Sequence, residues 1–269
     1  MAEYTVLITD IDDTLLNSNH EISPENLSAI QRLQAKGNIF VLASGRPNGG
    51  MQKIVETIGL QKEDSYLIAF NGGKIIHTQT GVEILNKGLS HDDFSQACDF
   101  AELYDVSICS YTKTAVVVSK DSEQSRIEAM LTGMEYKIVD DIKAFFTDKA
   151  IPKAIIFAES EKIEILQPML REYMEQKVEI TISKPIFLEI TPKGVHKGEA
   201  VRFLANHLGY KLSEIIAVGD GENDIELLKV AGLGLAVANA SPKLKIVADG
   251  VIVSNDEHAI AHIEEHFLK

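Results

Sequence analysis

Apolar positions along this chain fall into short unbroken runs separated by stretches of helical spacing. Thr5-Val6-Leu7-Ile8-Thr9 is a β-branched and aliphatic run that stops at Asp10-Ile11-Asp12-Asp13, which reads as a buried strand ending in a polar loop. Ser23-Pro24 then supplies an N-cap followed by proline at the first helical position. Apolar residues at Leu27, Ile30, Leu33 and Ala35 continue with helical spacing to Gly37. Buried strands are expected again at Ile39 to Ala43 and at Tyr66 to Phe70, the latter running into Asn71-Gly72-Gly73. Strand and helix alternate here in the manner of a parallel sheet.

From about Ile84 to Phe187 the texture changes. Ser90 to Tyr104 and Ile163 to Met174 have helical spacing, while Val116 to Val118 and Ala154 to Phe157 are strand-like. The alternation resumes with a helix from Lys197 to Leu208 that ends at Gly209, and a strand from Ile215 to Val218 that ends at Gly219-Asp220. A helix over Asp224 to Val230 and a strand over Leu233 to Val237 follow. The pattern predicts an α/β core made of residues 1–83 and 188–269, interrupted by a separate α+β domain at 84–187.

Composition narrows the partners. With 269 residues, 45% hydrophobic and 25% charged, the chain has ample material for one large core or two smaller ones. A formal net charge of -14 without a cluster of Lys and Arg argues against nucleic acid, whose affinity comes from grouped cations. No apolar run approaches the ~20 residues that span a bilayer, and nothing at the N-terminus reads as an export signal. Cys98 and Cys109 have neither metal-ligand spacing nor a disulfide framework, so a cytoplasmic setting and partly buried thiols are expected. The partner expected is a small phosphorylated metabolite, because an acidic protein can hold a phosphate where a metal ion and a few cations are placed. A monomer is the plain expectation, with a homodimer left open.

The candidate chemistry lies at strand ends. Asp10 and Asp12, two apart in extended backbone, point the same way into the crevice beyond the sheet. Such a pair suits a nucleophile plus a general acid/base, one carboxylate attacking phosphorus and the other protonating the leaving oxygen. Alone, Asp-x-Asp also fits a solvated turn. Gly219-Asp220-Gly221-Glu222-Asn223-Asp224 adds carboxylates after another strand, which suit the oxygen shell of Mg²⁺ beside Asp10 or, in isolation, an acidic glycine-rich turn. Ser44, in Ala43-Ser44-Gly45-Arg46-Pro47, offers a hydroxyl and backbone amides for phosphate oxygens. Lys197 could supply the cation that offsets a phosphoryl group among carboxylates, although a lysine at a helix start is commonly just solvated.

Asp10-Ile11-Asp12-Asp13-Thr14-Leu15, Ser44-Gly45-Arg46-Pro47, Lys197 and Gly219-Asp220 through Asn223-Asp224 stand in the order of the four motifs of the haloacid dehalogenase superfamily, which the chain resembles over essentially its whole length. With Asn71-Gly72-Gly73 and a large middle domain between the serine and lysine motifs, it looks like the Cof-like sugar-phosphatase branch, whose insert is a type C2B cap. That resemblance implies a Rossmann-like parallel-sheet core, a phosphoric monoester hydrolase and Mg²⁺ as cofactor. It implies Asp10 as nucleophile and metal ligand, and Asp12 as general acid/base with its backbone carbonyl on the metal. Asp220 would be a further metal ligand. Ser44, Gly45, Lys197 and Asn223 would hold the phosphoryl group, and Asp224 would orient the metal site or Lys197. Asp13 departs from the glycine that many members carry.

Other signals carry less. Arg46 could contact substrate or pair with the acidic surface, Asn71 is a possible substrate contact, and Glu189 could meet a sugar hydroxyl or be an exposed strand residue near the return to the core. His258, His262 and His266 repeat every four residues on the last helix, a spacing that can bind zinc but also marks the wet face of an acidic helix. Asp10, Asp12 and Glu21 match three liganding positions of an EF-hand, but Leu15 stands where its turn needs glycine and a strand, not a helix, enters the loop. A sugar phosphomutase using the same phospho-aspartate, or a silent phosphometabolite-binding protein, are the rival functions.

Overall fold

The computed structural model describes residues 4–62 and 64–268. The chain divides into two compact units. One runs to Gly45 and takes up again over Gln52–Leu85 and from His196 onward; the other holds Arg46–Met51 and Asn86–Val195.

Among the described residues the first unit is built on strands β1 (Val6–Thr9), β2 (Ile39–Ala43), β3 (Tyr66–Ala69), β4 (Lys74–His77), β5 (Glu83–Asn86), β12 (Ile215–Gly219), β13 (Leu233–Ala236) and β14 (Gly250–Val251). They form one sheet in the order β14-β13-β12-β1-β2-β3-β4-β5, parallel from β14 to β3 and antiparallel at β3–β4. The fold is α/β with a Rossmann-like core. All four residues of β1 and all five of β12 are buried, as expected for central parallel strands covered on both faces. Helices α1 (Pro24–Ala35), α2 (Gln52–Ile58), α7 (Lys197–Leu208), α8 (Ile225–Val230), α9 (Pro242–Val247) and α10 (Ala259–Phe267) complete this unit, with α1 packed on α10 and α7 on α8.

Local signals set the boundaries. Ser23 Oγ accepts from Asn26 N at 3.2 Å with Pro24 at the first helical position of α1, and Gly209 closes α7 with φ 76°.

The second unit holds β6 (Ser107–Tyr111), β7 (Ala115–Val118), β8 (Glu135–Ile138), β9 (Ala154–Phe157), β10 (Val178–Lys184) and β11 (Phe187–Pro192), with helices α3 (His91–Leu103), α4 (Glu123–Thr132), α5 (Ile142–Phe145) and α6 (Ser160–Tyr173). Its sheet, in the order β10-β11-β9-β6-β7-β8, is antiparallel except at β7–β8. Phe94, Phe100, Phe146, Ile156, Leu170 and Leu188 belong to its separate hydrophobic core. The return to the first unit falls at His196, not at residue 188, because β11 pairs with both β9 and β10 and sends Leu188 and Ile190 into this core. Residues 46–51 also group here rather than with the first unit. A Cβ on Gly49 would lie 2.9 Å from the Lys113 carbonyl oxygen, which shows how closely that segment packs.

Both cysteines are free and buried, Cys109 completely, and burial pushes the Cys98 thiol up to about 12. Among the described residues no helix is long and apolar enough to cross a membrane.

Candidate active site

Four neighbouring strands of the first sheet, β12-β1-β2-β3, end side by side and deliver most of the candidate residues. In the parallel register Thr9 lies level with Leu42 and Val218. Asp10 follows Thr9, Ser44 follows β2 and Asp220 follows β12, so three segments far apart in sequence converge beyond the carboxyl ends of the strands. This is also where the strand order reverses, with β2 on one side of β1 and β12 on the other. The backbone N–H of Asp10 still bonds the Val218 carbonyl, at 3.0 Å, which ties the end of β1 to β12.

Beyond Asp10 the chain makes a short broken helical turn, Ile11–Leu15, in which Asp12 is extended and Asp13 is left-handed at φ 55°. That conformation explains why position 13 suits glycine and tolerates aspartate, whose short polar side chain adopts it more readily than most. The Asn239 side-chain amide, from the segment after β13, donates to the Asp13 carbonyl oxygen at 2.7 Å and helps hold the turn.

Lys197, the first residue of α7, is fully buried. It is not the solvated lysine common at helix starts. Its Nζ lies 2.7 Å from Asp10 Oδ1 and 2.6 Å from Asp224 Oδ1. Burial alone would depress its pKa, but the two carboxylates outweigh this and raise it, so the ammonium stays charged. Asp224 is likewise fully buried, and its second oxygen accepts the backbone N–H groups of Asp220 at 3.1 Å and Gly221 at 3.0 Å. It joins the lysine to the loop that carries Asp220. Gly219 permits that approach, since a Cβ there would stand 2.5 Å from the Asp224 carboxylate.

Carboxylate oxygens of Asp10, Asp220 and Asp224 lie within 4.8 Å of one another. Against them stands one ammonium, leaving two negative charges in a largely buried space. Burial pushes the Asp10 carboxyl well up; Lys197 opposes this, and Asp224 and Asp220 add to it. Asp220 is pushed up to about 6, chiefly by burial, against the hydrogen bond that Thr14 Oγ1 donates to its Oδ1 at 2.7 Å. A set of hard oxygen donors with an excess of two negative charges fits a divalent cation such as Mg²⁺. Without one, the same excess favours proton uptake.

The structure therefore brings together Asp10, Lys197, Asp220 and Asp224, with Ser44 buried at the neighbouring strand end. Asn71 and Asn223 meet at the exposed side, where Asn223 Nδ2 donates to Asn71 Oδ1 at 3.2 Å. Arg46 and Glu189 are not among them: both belong to the other unit. Arg46 donates to the Gly50 carbonyl at 3.4 Å, and Glu189 is a buried strand residue paired with Lys153 at 2.9 Å rather than an exposed one. The histidine stripe also resolves. His258 precedes α10 and bonds Ser23, while the His262 and His266 rings stack at 4.1 Å. Thr14 is the residue that sequence reasoning passed over. It sits in the quoted motif, but its bond to Asp220 spans 206 positions and no local pattern announces it.

The chain matches the family model for haloacid dehalogenase-like hydrolase over residues 7–263, and it belongs to that family. Its relatives include HMP-PP phosphatase of Serratia proteamaculans, 29% identical over 99% of this chain and 96% of that protein. Among solved structures, a haloacid dehalogenase-like hydrolase from Bacteroides thetaiotaomicron superimposes with a TM-score of 0.91 at 30% identity, covering 98% of this chain and 99% of the other. A subclass IIB sugar phosphatase of the same superfamily gives 0.81 at 25% identity, covering 98% of each chain.

Proposed function

We propose that this protein is a Mg²⁺-dependent phosphatase of small phosphorylated metabolites, sugar phosphates above all, that works through a phospho-aspartate on Asp10. The observation that carries this reading is the buried Asp10–Lys197–Asp224 ion network beside Asp220, at the switch point of a parallel sheet. Likeness to a named sugar phosphatase supports the substrate class. The second unit is read as the cap that selects the substrate, and Arg46 and Glu189 belong to that part of the reading.

In the first half-reaction an Asp10 carboxylate oxygen attacks phosphorus. The bond from phosphorus to the substrate oxygen breaks, and Asp12 gives that oxygen its proton. In the second, Asp12 takes a proton from water as the water oxygen attacks phosphorus, and the Asp10–phosphorus bond breaks to release phosphate. A dianionic monoester repels an incoming carboxylate, and its uncatalysed hydrolysis is slow enough to require up to ~10²¹-fold acceleration. Lys197 counters that repulsion with a fixed positive charge that needs no reorganisation, while Ser44, Gly45 and Asn223 orient the phosphoryl oxygens. Mg²⁺, held by Asp10, Asp220 and the Asp12 carbonyl, would add Lewis-acid neutralisation of the phosphoryl charge. Asp224 positions Lys197 and the Asp220 loop.

The test is phosphate release from a panel of phosphorylated metabolites with Mg²⁺ or chelator, for wild type and Asp10→Asn together. Mg²⁺-dependent release that disappears in a folded Asp10→Asn variant is expected, along with loss of acid-trapped phosphoenzyme. Normal turnover by that variant would sink the assignment, and an isomeric sugar phosphate in place of free phosphate would replace hydrolase with mutase.

A further inference from the structure

The turn after β3 is unusual in backbone and in placement. Phe70, Asn71 and Gly72 have φ values of 53°, 53° and 104°, three successive residues in the left-handed region of which only one is glycine. For a bulky residue such as Phe70, buried among its neighbours, that conformation is unfavourable and persists only where surrounding contacts hold it.

Several contacts of this turn lead to groups already assigned to the phosphoryl end of the site. The backbone N–H of Asn71 donates to the Ser44 carbonyl at 3.0 Å. The Asn71 side-chain amide lies 3.1 Å from where a Cβ on Gly45 would stand, so it packs closely on the Ser44-Gly45 backbone. Its Oδ1 accepts from Asn223 Nδ2 at 3.2 Å. A Cβ on Gly72 would fall 2.5 Å from the His196 carbonyl oxygen and 3.2 Å from the Lys197 N, so the turn also seats the start of α7. One three-residue turn thus touches the strand end bearing Ser44, the loop bearing Asn223 and the helix start bearing Lys197, segments that the chain supplies from three distant places.

From this geometry we infer that Asn71 is a positioning residue of the reaction rather than a substrate contact: it holds one N–H of the Asn223 amide and thereby aims the other at the phosphoryl group. The inference rests on the reading of Asn223 as a phosphoryl-holding residue. An amide nitrogen has two N–H donors. With one engaged by Asn71 Oδ1, rotation about the amide of an otherwise exposed side chain is restricted, and the second donor is fixed in direction. Asparagine meets both demands of the position, an acceptor oxygen and tolerance of a left-handed backbone. Leucine or valine would meet neither.

The experiment is a double-mutant cycle with Asn71→Gly, Asn223→Ala and the double variant. Three quantities are read with Mg²⁺ present: orthovanadate affinity by calorimetry, kcat and KM on p-nitrophenyl phosphate, and thermal midpoint. Glycine accepts the φ of position 71, so the midpoint should stay within about 2 °C of wild type while the amide is lost. Asn71→Gly should weaken vanadate about three- to tenfold, the range of one neutral hydrogen bond, and lower kcat more than it raises KM. The same change in the Asn223→Ala background should do nothing further, because Asn71 acts through that amide. Additive losses would show that Asn71 meets the ligand itself, and a lowered midpoint with unchanged vanadate affinity would make it merely structural; either overturns the inference. Coupled vanadate binding without turnover by the wild type would instead sink the phosphatase reading and leave the positioning of Asn223 standing. Failure of the wild type to bind vanadate would overturn both.

Discussion

Lys197→Met tests the electrostatics of the site without removing its bulk. Methionine keeps most of the aliphatic stem and deletes the ammonium, which is fully buried and pairs with Asp10 at 2.7 Å and Asp224 at 2.6 Å. Removing one partner of a buried ion pair strands the other and costs about 3–5 kcal/mol; here two carboxylates are stranded together, with Asp220 close by. Part of the loss is recoverable by protons. The pKa of Asp10 already stands above its unfolded value because of burial, and Lys197 is the main influence holding it down, so the variant raises it further. A carboxyl raised on folding binds a proton in the native state that the unfolded chain does not bind at the same pH. Native stability therefore increases as pH falls below the folded pKa and stops increasing near the unfolded value. Each such proton recovers about 1.4 kcal/mol per pH unit. Urea unfolding with chelator, followed by circular dichroism at pH 8 and pH 6, should show a larger deficit at pH 8 than at pH 6. Mg²⁺ at pH 8 should also narrow it, by replacing the missing positive charge. An undiminished midpoint for Lys197→Met at pH 8, or a deficit indifferent to both pH and Mg²⁺, would refute the account of Lys197 as the counter-charge of this cluster.

Three further outcomes follow from the same geometry. Because Asp220 is pushed up to about 6 without metal and must lose its proton to bind one, Mg²⁺ affinity by calorimetry should fall as pH drops through that value, about tenfold by pH 5, with proton release detectable in buffers of different ionisation enthalpy. Thr14→Val, nearly isosteric, deletes the hydroxyl that donates to Asp220 and opposes that rise. It should weaken Mg²⁺ about 10–100-fold and move the acid limb of binding to higher pH, and an unchanged pH series would refute the role given to Thr14. Gly219→Ala places a methyl 2.5 Å from the Asp224 carboxylate, a clash that forces that side chain or the loop backbone to move. It should cost roughly 1–3 kcal/mol of stability, measured by denaturant, and abolish most vanadate affinity by displacing the Lys197–Asp224 pair.

By itself the sequence determined the elements and the chemistry at their ends. Ser23-Pro24 and Gly209 act on adjacent backbone, and the short apolar runs at Val6–Thr9 and Ile215–Gly219, ending in polar or glycine-rich loops, read as buried strands, so both are local facts. Asp10, Asp12, Ser44, Lys197 and Asp220 were legible as candidates because strand and helix ends place polar residues where an α/β sheet binds ligands. Tertiary structure decided what depends on contacts between distant segments. Sequence offers Lys197 as a cation and Asp224 as a residue that could orient it; only folding buries both and joins them at 2.6 Å. Thr14 becomes a partner of Asp220 only when β1 and β12 lie side by side. The same reason explains the misplaced boundary at 188. Phe187–Pro192 is an apolar strand compatible with either sheet, and only its pairing with β9 and β10 assigns it, with Glu189, to the second unit. Periodicity tells which face of an element is buried. It does not say against what.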